Sequence, residues 1–227
     1  MVDPSARPGR LSTALFWLLW FTVRMGLRLF FRLRIEGRIP REGPFVLAAN
    51  HISFIDPIVL GSAAPRRVVF LMTEVVYRSR QMGWFYRWNQ AIPLSTRVPN
   101  RESMRRARTM LQQGRVIGIF PEGGISRDGL PLLGSPGAVS LVLNEGVPII
   151  PVGILGTHDA LPPGRRLPRL KRITVRFGTP LTPAELENAG SDRRERLQAA
   201  TRLIMARIAE LTGQESRESV LDAAAAR

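Results

Sequence analysis

The feature that most constrains this chain is a set of short runs that are apolar almost throughout instead of alternating. Residues 44–49, 67–72, 91–94, 116–120 and 149–154 are such runs and 172–177 is a sixth that alternates; all are rich in Val, Ile and Phe and are bounded by Gly, Pro or Asn. Runs of this kind read as strands buried on both faces, the habit of a parallel sheet covered by helices. Helical stretches separate them, at 57–63, 79–88, 101–113, 136–144 and 191–212. In the last, Leu197, Ala200, Ile204, Ile208 and Leu211 recur at helical spacing. Strand alternating with helix predicts an α/β fold with a mixed, mostly parallel sheet flanked by helices. At 227 residues and 44% hydrophobic the chain suits one domain with a sizeable core, not a disordered segment. Neither an internal repeat nor a Gly/Ser linker divides it.

The N-terminal part follows a different rule. Residues 11–23 carry no charge, a stretch shorter than the roughly 20 residues that span a bilayer. Arg24, Arg28 and Arg32 follow at intervals of four, which on a helix makes one charged stripe. Trp17, Trp20, Phe21, Phe30 and Phe31 are residues of the membrane–water boundary. The pattern predicts a helix lying in the cytoplasmic leaflet with its arginines at the headgroups. A soluble packed helix and a single span are the other readings. A cleaved signal peptide fits poorly, because no small-residue cleavage site follows the apolar run. The expected organisation is a membrane-interface segment at 1–36, the α/β domain at 37–212 and a polar tail at 213–227.

The net charge is +15, and 32 of the 33 basic residues are arginine, which by itself reads as genomic base composition. Its placement says more. Residues 1–115 hold 19 basic and 6 acidic residues, whereas residues 181–227 hold 7 and 8. A basic surface attracts nucleic acid or an anionic membrane. No helix-turn-helix, zinc or RNA-recognition signature is present, and the aromatics crowd the N-terminus, so the partner expected is an anionic membrane and no nucleic acid. The basic loop at 162–172 reads either as solvated charge or as a patch touching headgroups. With no cysteine there is no disulfide, thiol nucleophile or zinc–thiolate site, and His51 and His158 are the only histidines. No metal and no bound cofactor is expected.

Two segments can carry chemistry. Asn50-His51-Ile52-Ser53-Phe54-Ile55-Asp56-Pro57 follows the apolar run at 44–49. A histidine at a strand's C-terminal end sits where α/β folds place their sites. Asp56 before Pro57 reads as a helix start. Were the residues between them to turn, Asp56 could reach back to His51 and make it a general base. A capping Asp beside a structural His is the plainer reading of the pair alone. Phe120-Pro121-Glu122-Gly123-Gly124-Ile125-Ser126-Arg127 is a strand running into a glycine-rich loop, whose exposed amides can hold an oxyanion or phosphate. Arg97, just past another strand, is a candidate anion clamp.

Taken in order, these segments resemble the glycerolipid acyltransferase family that includes the 1-acylglycerol-3-phosphate acyltransferases. The family's first block is His-x4-Asp after Asn, here Asn50, His51 and Asp56. Its second is similar to MGWFYRWNQAIPLSTR, from Met82 to Arg97. Its third, Phe-Pro-Glu-Gly, is at Phe120 to Gly123, and its fourth, Val-Pro-x-x-Pro-Val, runs from Val147 to Val152. The resemblance covers about residues 34–181. It implies that His51 takes the proton from a lysolipid hydroxyl and that Asp56 orients and stabilises His51. The acyl donor would be acyl-CoA or acyl carrier protein, with no acyl-enzyme. It also implies a substrate-binding set of Asn50, Ser53, Arg97, Glu122, Gly123, Gly124 and Arg127, of which Arg97 and the Glu122-Gly123 block would hold the acceptor's phosphate and glycerol. The activity implied is synthesis of phosphatidic acid from 1-acylglycerol-3-phosphate at the cytoplasmic face of the membrane. Departures fall on the acceptor side. Met72 stands where a lysine is common, Ile125 where an arginine is usual, Ser95-Thr96 before Arg97 where Asp is usual, and the stretch LLGSPG lacks a lysine often found there. The same chemistry on another lysolipid, with a larger headgroup or an amino-lipid core, is the alternative these changes keep open.

Overall fold

The computed structural model describes residues 9–95, 100–126, 134–187 and 192–214, apart from the side chain of Ala138. In chain order the elements are α1 (Arg10–Phe31), β1 (Arg34–Glu36), β2 (Phe45–Ala49), α2 (Asp56–Ala63), β3 (Val68–Thr73), α3 (Glu74–Tyr77), α4 (Gly83–Trp88) and β4 (Ile92–Leu94). They continue with α5 (Arg101–Gln112), β5 (Val116–Ile119), α6 (Gly137–Glu145), β6 (Ile149–Leu155), α7 (Thr157–Ala160), β7 (Thr174–Phe177), α8 (Pro183–Glu187) and α9 (Arg193–Thr212).

The seven strands form one sheet in the order β1-β7-β6-β2-β5-β3-β4. Every pairing is parallel except β6 with β7. The mixed, mostly parallel α/β sheet predicted from the apolar runs is therefore present. All five residues of β2 are buried, because helices cover both faces. Alternate residues feed two cores. Val46 and Ala48 face a core built with α5, α6 and α9. Phe45, Leu47 and Ala49 face a second core shared with α1 and α2.

Four short elements lie outside the sequence reading: β1, α3, α7 and α8. β1 is three residues long and only half buried, so its sequence carries no apolar run. It nonetheless pairs with β7, and Leu27 and Leu33 are buried in the second core. The N-terminal segment is thus built into the domain instead of preceding it at a boundary near residue 36.

α1 is a single 22-residue helix, longer than the uncharged run and long and apolar enough to cross a membrane. One stripe of it is docked. Trp20 Nε1 donates to the carbonyls of Gly61 and Ala64 at 3.0 and 3.1 Å, and Arg24 Nη1 to those of Ser62 and Ala63 at 2.9 and 3.1 Å. These carbonyls belong to the last turn and C-terminal end of α2, where they have no partner within the helix. Nearer the N-terminus, Phe16 packs on the Arg67 guanidinium at 4.5 Å and on Trp88 at 6.4 Å. Burial, with Arg115 adding repulsion, pushes Arg67 down to about 10. Arg24 therefore departs from the headgroup stripe expected of it. It faces inward, stacked 4.8 Å from Trp20, while Arg28 and Arg32 stay exposed.

Candidate active site

The chain leaves β2 for β3, passes β4, and returns to place β5 beside β2, with β6 on β2's other flank. The C-terminal ends of β2 and β5 are thus a switch point of the topology, where open α/β sheets leave a crevice. His51 follows β2 and Glu122 follows β5.

The segment from His51 to Asp56 turns back on itself. Asp56 N–H donates to the Ser53 carbonyl at 3.2 Å. This brings Asp56 Oδ2 to 2.9 Å from His51 Nδ1, and the same oxygen accepts from the backbone N–H groups of Ile52 and Ser53, each at 2.7 Å. An oxygen that accepts from two amides accepts from the ring as well, so Nδ1 carries the proton and Nε2 presents its lone pair. Asp56 is fully buried and the His51 side chain is 15% exposed. Asp56 Oδ1 is buried without a hydrogen-bond partner among the described residues. The pair's arrangement is that of a base held in one tautomer by a carboxylate that steadies the imidazolium after proton uptake.

The second block clamps the first. Glu122 Oε1 accepts from His51 N–H at 2.7 Å, and Ser126 N–H donates to the His51 carbonyl at 2.8 Å. Both main-chain polar groups of His51 are thus held by the loop after β5. Gly123 makes that loop's turn with φ +67, its N–H bonded to the Phe120 carbonyl at 3.1 Å. The Phe120 ring stacks on the His51 ring, centroids 4.2 Å apart, and the Phe70 ring lies behind it at 6.1 Å. Gly118 makes room for this stack: a Cβ there would meet the Phe70 ring at 2.6 Å.

The site residues expected from the sequence divide into three groups. His51, Asp56 and Glu122 come together, with the exposed Gly123 and Gly124 beside them. Asn50 and Ser53, expected among the substrate-binding residues, are instead fully buried and bonded within the protein. The Asn50 amide donates to the Ile154 carbonyl at 2.9 Å and accepts from Ile154 N–H at 2.7 Å, extending the β2–β6 ladder by one rung. Ser53 Oγ donates to the Leu161 carbonyl at 2.6 Å. Both hold the catalytic turn on the β6–α7 segment. Arg97 and Arg127 lie outside the described residues. Three contributors were missed: Phe120, Ser126 and His158, whose Nδ1 is 3.2 Å from the Ile52 carbonyl. Phe120 and Ser126 stand inside the motif that drew attention to Glu122, but nothing local says that they meet His51.

An apolar cavity of about 140 Å³ adjoins the site. Phe54 and Ile58 line it beside the catalytic turn, Phe70 and Met72 form its β3 wall, and Trp20 and Val23 of α1 close its outer side. Val68, at the N-terminal end of β3, lies at its inner end, and Ala91, level with Phe70, lines its flank. The wall from Val68 to Met72 is about 13 Å long at about 3.3 Å per residue.

The sequence pattern of the acyltransferase family matches residues 31–155, more than half of the chain and all of the clamp around His51. The chain belongs to the acyltransferase family. The 1-acyl-sn-glycerol-3-phosphate acyltransferase of Bacillus subtilis is 27% identical over 177 residues, covering 78% of this chain and 85% of that protein. The lyso-ornithine lipid O-acyltransferase of Pseudomonas aeruginosa is 32% identical over 147 residues, 63% of this chain and 55% of that protein. The chain also spans 39% of the chloroplastic 1-acyl-sn-glycerol-3-phosphate acyltransferase LPAT1 of Arabidopsis thaliana, at 30% identity. Among solved structures, the crystal structure of the 1-acyl-sn-glycerophosphate acyltransferase PlsC of Thermotoga maritima shares the fold. Its TM-score is 0.67 at 24% identity, covering 88% of this chain and 82% of that one. As an acyltransferase, the protein has an acyl donor and an acyl acceptor to bring together.

Proposed function

We propose that this acyltransferase works at the cytoplasmic surface of a membrane. It moves a fatty acyl group from acyl-CoA or acyl carrier protein to the free hydroxyl of 1-acylglycerol-3-phosphate, giving phosphatidic acid. The observation that carries the reading is the Nδ1-anchored His51, its Nε2 lone pair free beside an apolar cavity. In the reaction the acceptor's hydroxyl proton passes to Nε2 and its oxygen attacks the thioester carbonyl. The C–S bond then breaks, and the imidazolium returns the proton to the leaving thiolate. General-base catalysis of this kind contributes about 10²–10⁴-fold. Positioning two substrates in register supplies much of the remainder.

The acyl chain is assigned to the cavity walled by Phe54, Phe70 and Trp20. Membrane contact is assigned to the outward face of α1, where Leu11, Leu18, Phe21 and Leu29 are exposed, joined by exposed Phe54 beside the cavity. An apolar surface of this size on one side of a protein marks an interaction site. Exposed Arg28 and Arg32 beside it favour the cytoplasmic leaflet. Arg97 and Arg127, with Glu122 and Gly123, remain the groups proposed for the acceptor headgroup.

A second acceptor class has an observation of its own. The relative with a lyso-ornithine lipid activity is 32% identical, and the departures from the family pattern fall on headgroup positions. Purified protein given one acyl-CoA and a panel of lysolipids separates the two. Turnover on 1-acylglycerol-3-phosphate is expected; turnover confined to a lyso-aminolipid would replace the proposed acceptor and keep the chemistry.

A further inference from the structure

Between α7 and β7 the chain forms an arm, residues 162–172, that the catalytic reading leaves unused. From Gly164 to Arg172 every residue is exposed. The arm carries Arg165, Arg166, Arg169, Lys171 and Arg172 and no acidic residue. None of the five cations has a carboxylate partner among the described residues. Leu167 and Leu170 are interleaved with them and are 74% and 70% exposed. A loop shaped only for water has no use for two protruding leucines, each giving up burial that stabilises by about 25 cal/mol per Å².

The arm is a built feature at both ends. At its start Arg169 N–H donates to the Ala160 carbonyl at 2.7 Å, and the Leu161 carbonyl accepts the Ser53 hydroxyl of the catalytic turn. At its end Ile173 N–H donates to the Phe31 carbonyl in the last turn of α1 at 3.0 Å. That turn is flanked by exposed Leu29 and Phe30 and by exposed Arg28 and Arg32. The arm's cations and leucines therefore continue the apolar and cationic face of α1 around to the rim of the active site.

We infer that the 162–172 arm is a second membrane-docking element for an anionic phospholipid bilayer. Its leucines enter the headgroup boundary while its arginines and lysine pair with lipid phosphates. Nucleic acid is a poorer match, because leucines offer no stacking surface to bases. The inference rests on the membrane reading of α1 given above and deepens it. Because the arm directly follows Leu161, which holds Ser53 of the His51 turn, docking it sets that turn at headgroup height, where a lysolipid hydroxyl lies.

The test is sedimentation of the full chain with vesicles of phosphatidylcholine alone or mixed with phosphatidylglycerol. The double variant Arg166→Gln/Arg169→Gln should lose about fivefold in partitioning to the phosphatidylglycerol vesicles per charge removed, and little on phosphatidylcholine. Leu167→Ser/Leu170→Ser should lose binding to both. Arg166→Lys/Arg169→Lys should bind as the parent does. Turnover of soluble short-chain substrates without vesicles should be unchanged in all three. Unchanged partitioning of the glutamine variant would overturn the inference. So would a matching loss of vesicle-free turnover, or a loss seen only with acyl carrier protein as donor, either of which assigns the arm to a substrate. If Phe21→Ser in α1 weakens binding while the arm variants do not, the membrane reading stands and the arm falls. A parent protein that binds neither vesicle overturns both.

Discussion

At the residue scale, the site is a set of constraints on one imidazole. His51 is held at Nδ1 by Asp56, at its amide by Glu122, at its carbonyl by Ser126 and on one ring face by Phe120, leaving Nε2 to act. This orders the expected effects of substitution. His51→Ala should abolish turnover without releasing the protein from vesicles. Asp56→Asn keeps the shape but can present its amide to Nδ1, favouring the tautomer with the proton on Nε2, so kcat should fall about 10²–10⁴-fold with a smaller change in KM. Steady-state rates with a saturating acyl donor check both, and turnover retained in His51→Ala would remove the proposed base. The His51–Asp56 pair was legible in the sequence because the turn joining it is local. Glu122 was legible as a site residue, but its clamp on His51 was not. That clamp spans 71 positions and exists only because β5 inserts beside β2. Asn50 was misread for the same reason: its partner, Ile154, is 104 positions away.

At the element scale, the long apolar runs declared themselves because burial on both faces leaves a compositional mark, whereas β1, half exposed and three residues long, leaves none. α1 shows the limit of periodicity. Its spacing places Arg24, Arg28 and Arg32 on one stripe, yet only the C-terminal end of α2, which the sequence does not position, turns Arg24 inward. There Arg24 satisfies two orphan carbonyls and sets a positive charge at the negative end of the α2 dipole. The other end of α2 carries Asp56, so α1 braces the helix that presents the carboxylate bonded to His51. Arg24→Met should cost about 1–2 kcal/mol, lowering Tm by about 2–4 °C for each kcal/mol in a domain of this size. Arg28→Met, at an exposed position, should change it little. Thermal melts of the two variants check the contrast, and equal shifts would mean that Arg24 does not brace α2.

At the scale of the whole molecule, the sheet separates two layers, and this changes what the charge excess means. The sequence reading gathers the positive charge of residues 1–115 around the membrane-interface helix and the His51–Asp56 and Arg97 blocks. Part of it sits elsewhere: α5, with Arg101, Arg105, Arg106 and Arg108, packs in the opposite layer beside α6 and α9. There Arg105 pairs with Glu102 and Arg108 with Glu145. Net charge along a chain is not a map of a face, because the sheet holds α1 and α2 on one side and α5, α6 and α9 on the other. What does lie on one side is apolar: the outward face of α1, the rim at Phe54 and the cavity running inward from it along β3 to Val68. If that cavity takes the acyl chain, its inner end sets how much chain fits. Val68 is buried at that end, and Val68→Phe should fill it. Each methylene thereby denied burial forfeits about 0.8 kcal/mol, so kcat/KM should fall about fourfold per excluded methylene. Short acyl donors should be spared while long ones suffer. A parallel Tm measurement isolates the strain of overpacking, which is about 1–3 kcal/mol and acts on all donors alike. A uniform loss across donor lengths would mean that the chain lies elsewhere, along the exposed face of α1 instead of beneath it.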